Sequence, residues 1–145
     1  MAERKPQTLS NHTRFDPAFH FFLGPLSLIL FVSSVWHATR HPDYVSLWLS
    51  LGALLFVVDV FLNRNYSLKV QDRVIRLEER LRLASLLPDS QRARIAELTE
   101  GQLIALRFAC DAELPALAAK AMDERMAPAD IKKAIRTWRP DYFRV

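Results

Sequence analysis

Two stretches of the chain are almost free of charge. Residues 17–39 contain no Asp, Glu, Lys or Arg in 23 positions, and residues 44–62 contain one, Asp59, in 19. Within them, residues 18–36 read AFHFFLGPLSLILFVSSVW and residues 44–62 read YVSLWLSLGALLFVVDVFL. Nineteen helical residues extend roughly 28 Å at 1.5 Å per residue, close to the ~30 Å thickness of a bilayer's hydrocarbon core. A soluble bundle would have to cover both stretches on every side, and the rest of the chain offers only narrow apolar stripes. The pattern predicts two transmembrane helices. The short connection, 37–43, makes them an antiparallel hairpin. Positions at equal depth then have numbers summing to about 80, which sets His20 level with Asp59 and Val60.

After residue 62 the pattern changes. No Gly or Pro occurs between Gly52 and Pro88, so the second span can continue as one helix from about 44 to 87, with Asn63-Arg64-Asn65 marking its emergence or a break. Val70, Val74, Leu77, Leu81 and Ala84 recur at 4,3,4,3 spacing, an apolar seam of about two heptads. Asp72–Arg76 and Glu78–Arg82 are acid-before-base pairs at i,i+4. The seam suits a coiled-coil contact with a partner or second copy. Packing against the chain's own later helices is the favoured alternative, and two heptads are too few to be stable alone.

Beyond Pro88 a compact region of short helices is expected at about 90–98, 100–109, 112–126 and 128–137. Thr99 and Gln102 form a capping-box pattern, Asp111 can cap the third helix ahead of Pro115, and Pro128 suits a first helical position. Ile95, Leu98, Leu103, Leu106, Leu114, Leu117, Ala121, Met122, Ile131, Ile135 and Trp138 are the expected core. No alternating β pattern appears, so the fold class is all-α: a two-span helical hairpin, a long amphipathic helix and a small helical bundle. The division is 1–17 N-terminal flank, 18–62 hairpin, 63–87 juxtamembrane helix and 88–145 small domain. A core of that size is marginal alone and is expected to lean on the long helix, a partner or the membrane surface. The tail supplies Trp138, Arg139, Tyr142 and Phe143 for docking on its own domain, a partner or lipid headgroups.

Composition sharpens this. The mean hydropathy of +0.01 suggests an ordinary soluble domain, yet 35 of the 36 charges fall in the 103 residues outside the two stretches. The positive-inside rule sets both termini in the cytoplasm. Arg4, Lys5 and Arg14 precede the first span, and Arg64, Lys69, Arg73, Arg76, Arg80 and Arg82 follow the second. Only Arg40 lies between. Phe15, Phe19, Phe21, Phe22, Trp36, Tyr44, Trp48 and Tyr66 crowd the ends of the spans, as interfacial rings do. The apolar run starts too late, after an acid-containing flank, for a cleaved signal peptide. Pro25 is expected to kink the first span, and Ser27, Ser33, Ser34, Ser46, Ser50, Gly52 and Ala53 are small enough for close helix approach.

Candidate chemistry is sparse. Asp59 can pair with His20, bond to Asn63, or reach Arg64 and water. His37 and His41, spaced i,i+4, can share a metal, and His20 can ligate a haem only if a second histidine reaches its depth. No Walker loop, dinucleotide fingerprint, HExxH or nucleophile elbow is present. Cys110 has no partner, which excludes a disulfide scaffold. Residues 63–145 carry 16 basic and 12 acidic side chains, a balance suited to anionic lipid rather than to nucleic acid. The expectation is a non-enzymatic protein with no cofactor, metal or small-molecule substrate, whose partners are the bilayer and a protein or second copy. A redox or proton-handling subunit using His20 and Asp59, and an anionic-lipid sensor, are the alternatives.

Several strings together resemble a known family. They are Asn11-His12 with Phe15-Asp16-Pro17 and Phe19-His20; 71–73 with 76–80; Leu106-Arg107-Phe108-Ala109 with 111–114; and 131–135 with Trp138-Arg139-Pro140-Asp141. The family is one of small bacterial two-span membrane proteins, a domain of unknown function. The resemblance implies a bacterial inner-membrane protein and assigns no activity.

Overall fold

The computed structural model describes residues 6–12 and 15–141. Among them the chain is helical without strands. A π-helical segment, Ala18–Leu23, runs into α1, Gly24–Arg40; α2 is Tyr44–Leu86; α3, Asp89–Arg92, passes into a 3₁₀ segment, Ala93–Glu97; α4 is Glu100–Leu106, α5 Leu114–Asp123 and α6 Pro128–Ala134. The chain divides into two compact units, one of Arg14–Lys69 and one of Met1–Thr13 with Val70–Arg144.

The first unit is the apolar pair. Ala18–Arg40 and the first part of α2 are long and apolar enough to cross a membrane, and only 11% and 6% of their most apolar windows are buried. Neither helix is therefore the enclosed core of this chain. Next to Pro25 the structure widens the preceding turn. The Gly24 N–H donates to Phe19 O, five residues back, and Pro25, which has no N–H, sits in the first turn of α1, where none is needed. Buried or half-buried positions recur at 24, 27, 31, 34 and 38 on α1 and at 46, 50, 53, 57, 60 and 64 on α2. Ser27 and Ser46 are 0% and 2% exposed. Small residues thus line the contact within the hairpin, whereas Ser33 and Gly52 face outward. Phe19 meets Phe61 edge to face at 5.5 Å, and Arg64 reaches Asp16 at 3.6 Å; both number pairs sum to 80, the expected register. The helix does not break at Asn63-Arg64-Asn65. Since α1 runs on to Arg40, the connection shrinks to residues 41–43, where the Asp43 carboxylate accepts from the Ser46 N–H at 2.8 Å and caps α2. That N–H bond, ahead of the Ser46 hydroxyl and a nearby His37, holds the Asp43 carboxyl below its usual range.

The second unit is the bundle. All the expected core residues are buried except Trp138, which packs half-buried against them. Leu83 of α2 and Leu87, just after its end, join them, along with Phe108, which is 0% exposed. The Thr99–Gln102 capping box forms in both directions. Gln102, itself buried, also donates to Met126 O at 3.0 Å, tying α4 to the end of α5. The helices end earlier than expected because the chain uses its backbone elsewhere. Residues 107–110 leave α4 to pair with 137–139, with Arg139 N–H donating to Phe108 O at 2.7 Å and Cys110 N–H to Thr137 O at 3.1 Å. The expected cap from Asp111 does not form. Glu113 stands at the N-cap of α5 without a side-chain capping bond to that helix; its carboxylate accepts instead from the Arg136 and Thr137 N–H groups, both at 3.2 Å.

Candidate functional site

Within the bundle unit, α2 presents two faces. Ile75, Glu79, Leu83 and, just after its end, Leu87 are buried; they follow one another every four residues and form the face packed on the bundle. The seam read from the sequence is on another face. Val70, Val74, Leu77 and Leu81 are 63%, 49%, 59% and 64% exposed, and Ala84 is half-buried. Val70, Val74, Leu77 and Leu81 therefore stand open, whereas Ala84 packs against the chain's own bundle core. The 4,4,4 spacing of the true inward face drifts slowly around an α-helix, so a heptad template passes over it.

Glu79, at 4% exposure, is the only fully buried carboxylate among the described residues. Arg82 explains how it is tolerated. Its guanidinium donates to Glu79 at 3.0 Å, to Ala109 O at 2.7 Å and to Asp111 at 2.7 Å. Arg139 approaches Glu79 from the tail at 3.5 Å. Burial pushes the Glu79 carboxyl above its usual range, against the pull of the two arginines. Glu78, Glu79, Leu81, Arg82, Asp111 and Arg139 line a cleft of about 500 Å³ beside the exposed seam. The expected i,i+4 side-chain pairs give way to other partners. Arg82 turns from Glu78 to Glu79 and Asp111, and Arg76 pairs with Glu100 while donating to the Asp72 main chain at 3.2 Å.

The tail docks on its own unit as far as residue 141. Trp138 lies against Phe108 at 5.1 Å and His12 at 5.7 Å, and Asp141 pairs with Arg107 at 3.1 Å. Tyr142 and Phe143 lie outside the described residues, as do Arg4, Lys5 and Arg14. Sequence reading missed the N-terminal strap. Gln7 bonds to the Asp141 main chain, and His12 also meets Phe108 edge to face at 5.7 Å. Nothing in the periodicity of residues 6–12 marks them for this contact.

In the hairpin unit the structure does not bring His20 and Asp59 together. The His20 Nδ1 is 2.9 Å from Asp16 O and its ring sits against Phe15 and Phe19. Asp59 faces outward and accepts from the Asn63 side-chain amide at 2.9 Å. Equal depth was legible in the numbers; the face each side chain takes was not. The His37 and His41 rings lie 4.9 Å apart. Among the described residues no three of His, Cys, Asp and Glu are grouped to hold a metal ion.

The geometry defines a helical protein with two candidate spans, a long helix and a small bundle, and with an apolar helix face left open. The chain belongs to the family of unknown function DUF6526, whose model matches residues 1–145. Comparison with curated proteins and with solved structures returned no match.

Proposed function

We propose that this protein is a non-enzymatic integral protein of the bacterial inner membrane. It crosses the bilayer twice, keeps both termini in the cytoplasm, and presents its cytoplasmic helices as an anchor, adaptor or accessory subunit of a membrane assembly. The observation that carries the adaptor reading is the exposed seam on α2: four large apolar residues stand open on a helix whose opposite side is already packed. An apolar stripe beside a charged cleft suits a protein surface, with hydrophobic anchors inside a polar rim.

The membrane reading rests on the exposed apolar surface of the first unit, which water would not tolerate but lipid would. The tie between residues 7–12 and 138–141 supports an even number of crossings, because it holds the chain before α1 and the chain after α2 in one unit. Trp36 under Arg40 at 4.7 Å and Tyr44 against Trp48 at 5.9 Å supply the aromatic end of the hairpin near its turn. The redox reading has lost its pairing of His20 with Asp59, and no observation favours it or the lipid sensor over the adaptor.

Native mass spectrometry of the gently extracted full chain tests the proposal. Complexes larger than the single chain are expected; monomer under all extraction conditions would overturn the adaptor reading.

A further inference from the structure

We infer that the open face of α2 is occupied by α2 of a second copy of this chain, in parallel. This rests on the adaptor reading and names the partner that its face takes.

Three observations point the same way. The first is that seam flanks are self-complementary in charge. Arg73 stands beside one edge of the seam and Glu78 beside the other; both are exposed, and neither forms an ion pair among the described residues. In a parallel two-stranded pairing, a residue on one flank meets the residue five positions further on in the partner helix. Arg73 of each copy then faces Glu78 of the other, twice per dimer. An antiparallel pairing would set the Arg73 and Arg80 edges against each other. Two copies inserted in one orientation run α2 parallel without further constraint.

The second observation is Asp59. A carboxylate on the outer side of an apolar helix faces hydrocarbon unless something covers it, and ionisable groups within a span are costly there. Asp59 and Asn63 satisfy each other within one chain. In a parallel pair, Asn63 of each copy can donate instead to Asp59 of the other, so that the polar groups are shielded from lipid by the helices that carry them.

The third is that within each unit such positions keep to one side of the helix. The steps 52, 56, 59, 63 and 66 in the hairpin unit, and 70, 74, 77 and 81 in the bundle unit, are all three or four, the spacing that keeps residues on one side of an α-helix. A Cβ on Gly52 would meet nothing within 4 Å, which leaves room for a second backbone to approach there.

The test uses the full chain in its native membrane, with Cys110→Ser as background. Val74→Cys and Leu77→Cys are expected to give disulfide-linked dimers of twice the chain mass on mild oxidation. Asn65→Cys, exposed on the other side of α2, is expected to give almost none. In the Val74→Cys background, Arg73→Glu or Glu78→Arg alone should cut the dimer about fivefold by turning two attractions into repulsions. The two changes together should restore it, which also shows that the single variants fold. Equal crosslinking at position 65, or a double swap that fails to rescue, would overturn the inference. An adduct of any other mass would overturn the second copy as occupant while leaving the adaptor reading in place. No adduct, with only monomer on native extraction, would overturn both.

Discussion

Gln7 and Asp141, 134 residues apart in sequence, are joined by two hydrogen bonds. The Asp141 N–H donates to Gln7 Oε1 at 2.8 Å, and the Gln7 amide donates to Asp141 O at 3.2 Å. The clasp closes the N-terminal strap over the bundle, so the segment before the first apolar helix and the tail after the last short helix share one unit. Replacing Gln7 with Ala removes both bonds and leaves a half-buried main-chain pair to water. A loss of about 1–2 kcal/mol is expected, measured by chemical denaturation of the full chain in detergent and followed by tryptophan fluorescence.

Arg82 and Arg139 both reach Glu79, and their variants should differ in cost. The Arg82 side chain is 11% exposed and satisfies a carbonyl and two carboxylates, so Arg82→Ala leaves Glu79 buried with one distant partner. About 3 kcal/mol is expected. The Arg139 side chain is 52% exposed, and its removal should cost less than about 1 kcal/mol. Denaturation of the two variants side by side checks the ranking, and equal losses would argue against Arg82 as the central tie.

Glu79 gives the bundle a pH dependence of definite sign. Its folded pKa is raised above the usual 4.5 by burial, so in that window the folded state binds more protons than the unfolded state. Stability from this group is then fully present below the unfolded value and falls as pH rises through the folded one. Glu79→Gln removes the titration. The stability of the wild-type chain relative to this variant should fall as pH rises from about 4.5 toward neutrality, read from denaturation midpoints across a pH series. An unchanged difference would contradict the buried, charge-penalised carboxylate.

Gly101 reverses the usual rule for helices. An exposed helical Gly→Ala change stabilises by roughly 0.5–1 kcal/mol, but here an added Cβ would lie 2.9 Å from the Pro128 ring at the start of α6. Gly101→Ala should instead destabilise by about 1–3 kcal/mol as α4 and α6 are forced apart. A thermal melt decides the sign.

How far the sequence reached depended on whether a feature is local. The two apolar helices, the Thr99–Gln102 cap and the core leucines follow from composition and helical period, and they stand where those rules put them. Depth in the hairpin was legible too, since the turn fixes the sum that Phe19–Phe61 and Asp16–Arg64 obey. What was not legible is orientation and long-range choice. His20 turns back to Asp16, and Asp59 turns out to Asn63, because each finds a nearer partner four residues away. Arg82 passes over Glu78 for Asp111, 29 residues on, and Asp111 is then spent on that ion pair rather than on capping α5. The inward face of α2 hid behind a more regular seam, of which Val70, Val74, Leu77 and Leu81 are left open.

Topology is the most direct test of the hairpin with both flanks on one side. Single cysteines at Ser10, Pro42 and Ser90 in the Cys110→Ser full chain would be exposed to a membrane-impermeant maleimide on intact spheroplasts, then again after permeabilisation. Labelling of Pro42→Cys from outside is expected, with Ser10→Cys and Ser90→Cys labelled only once the membrane is opened. Labelling of Ser90→Cys from outside, or all three sites reacting alike, would contradict the account.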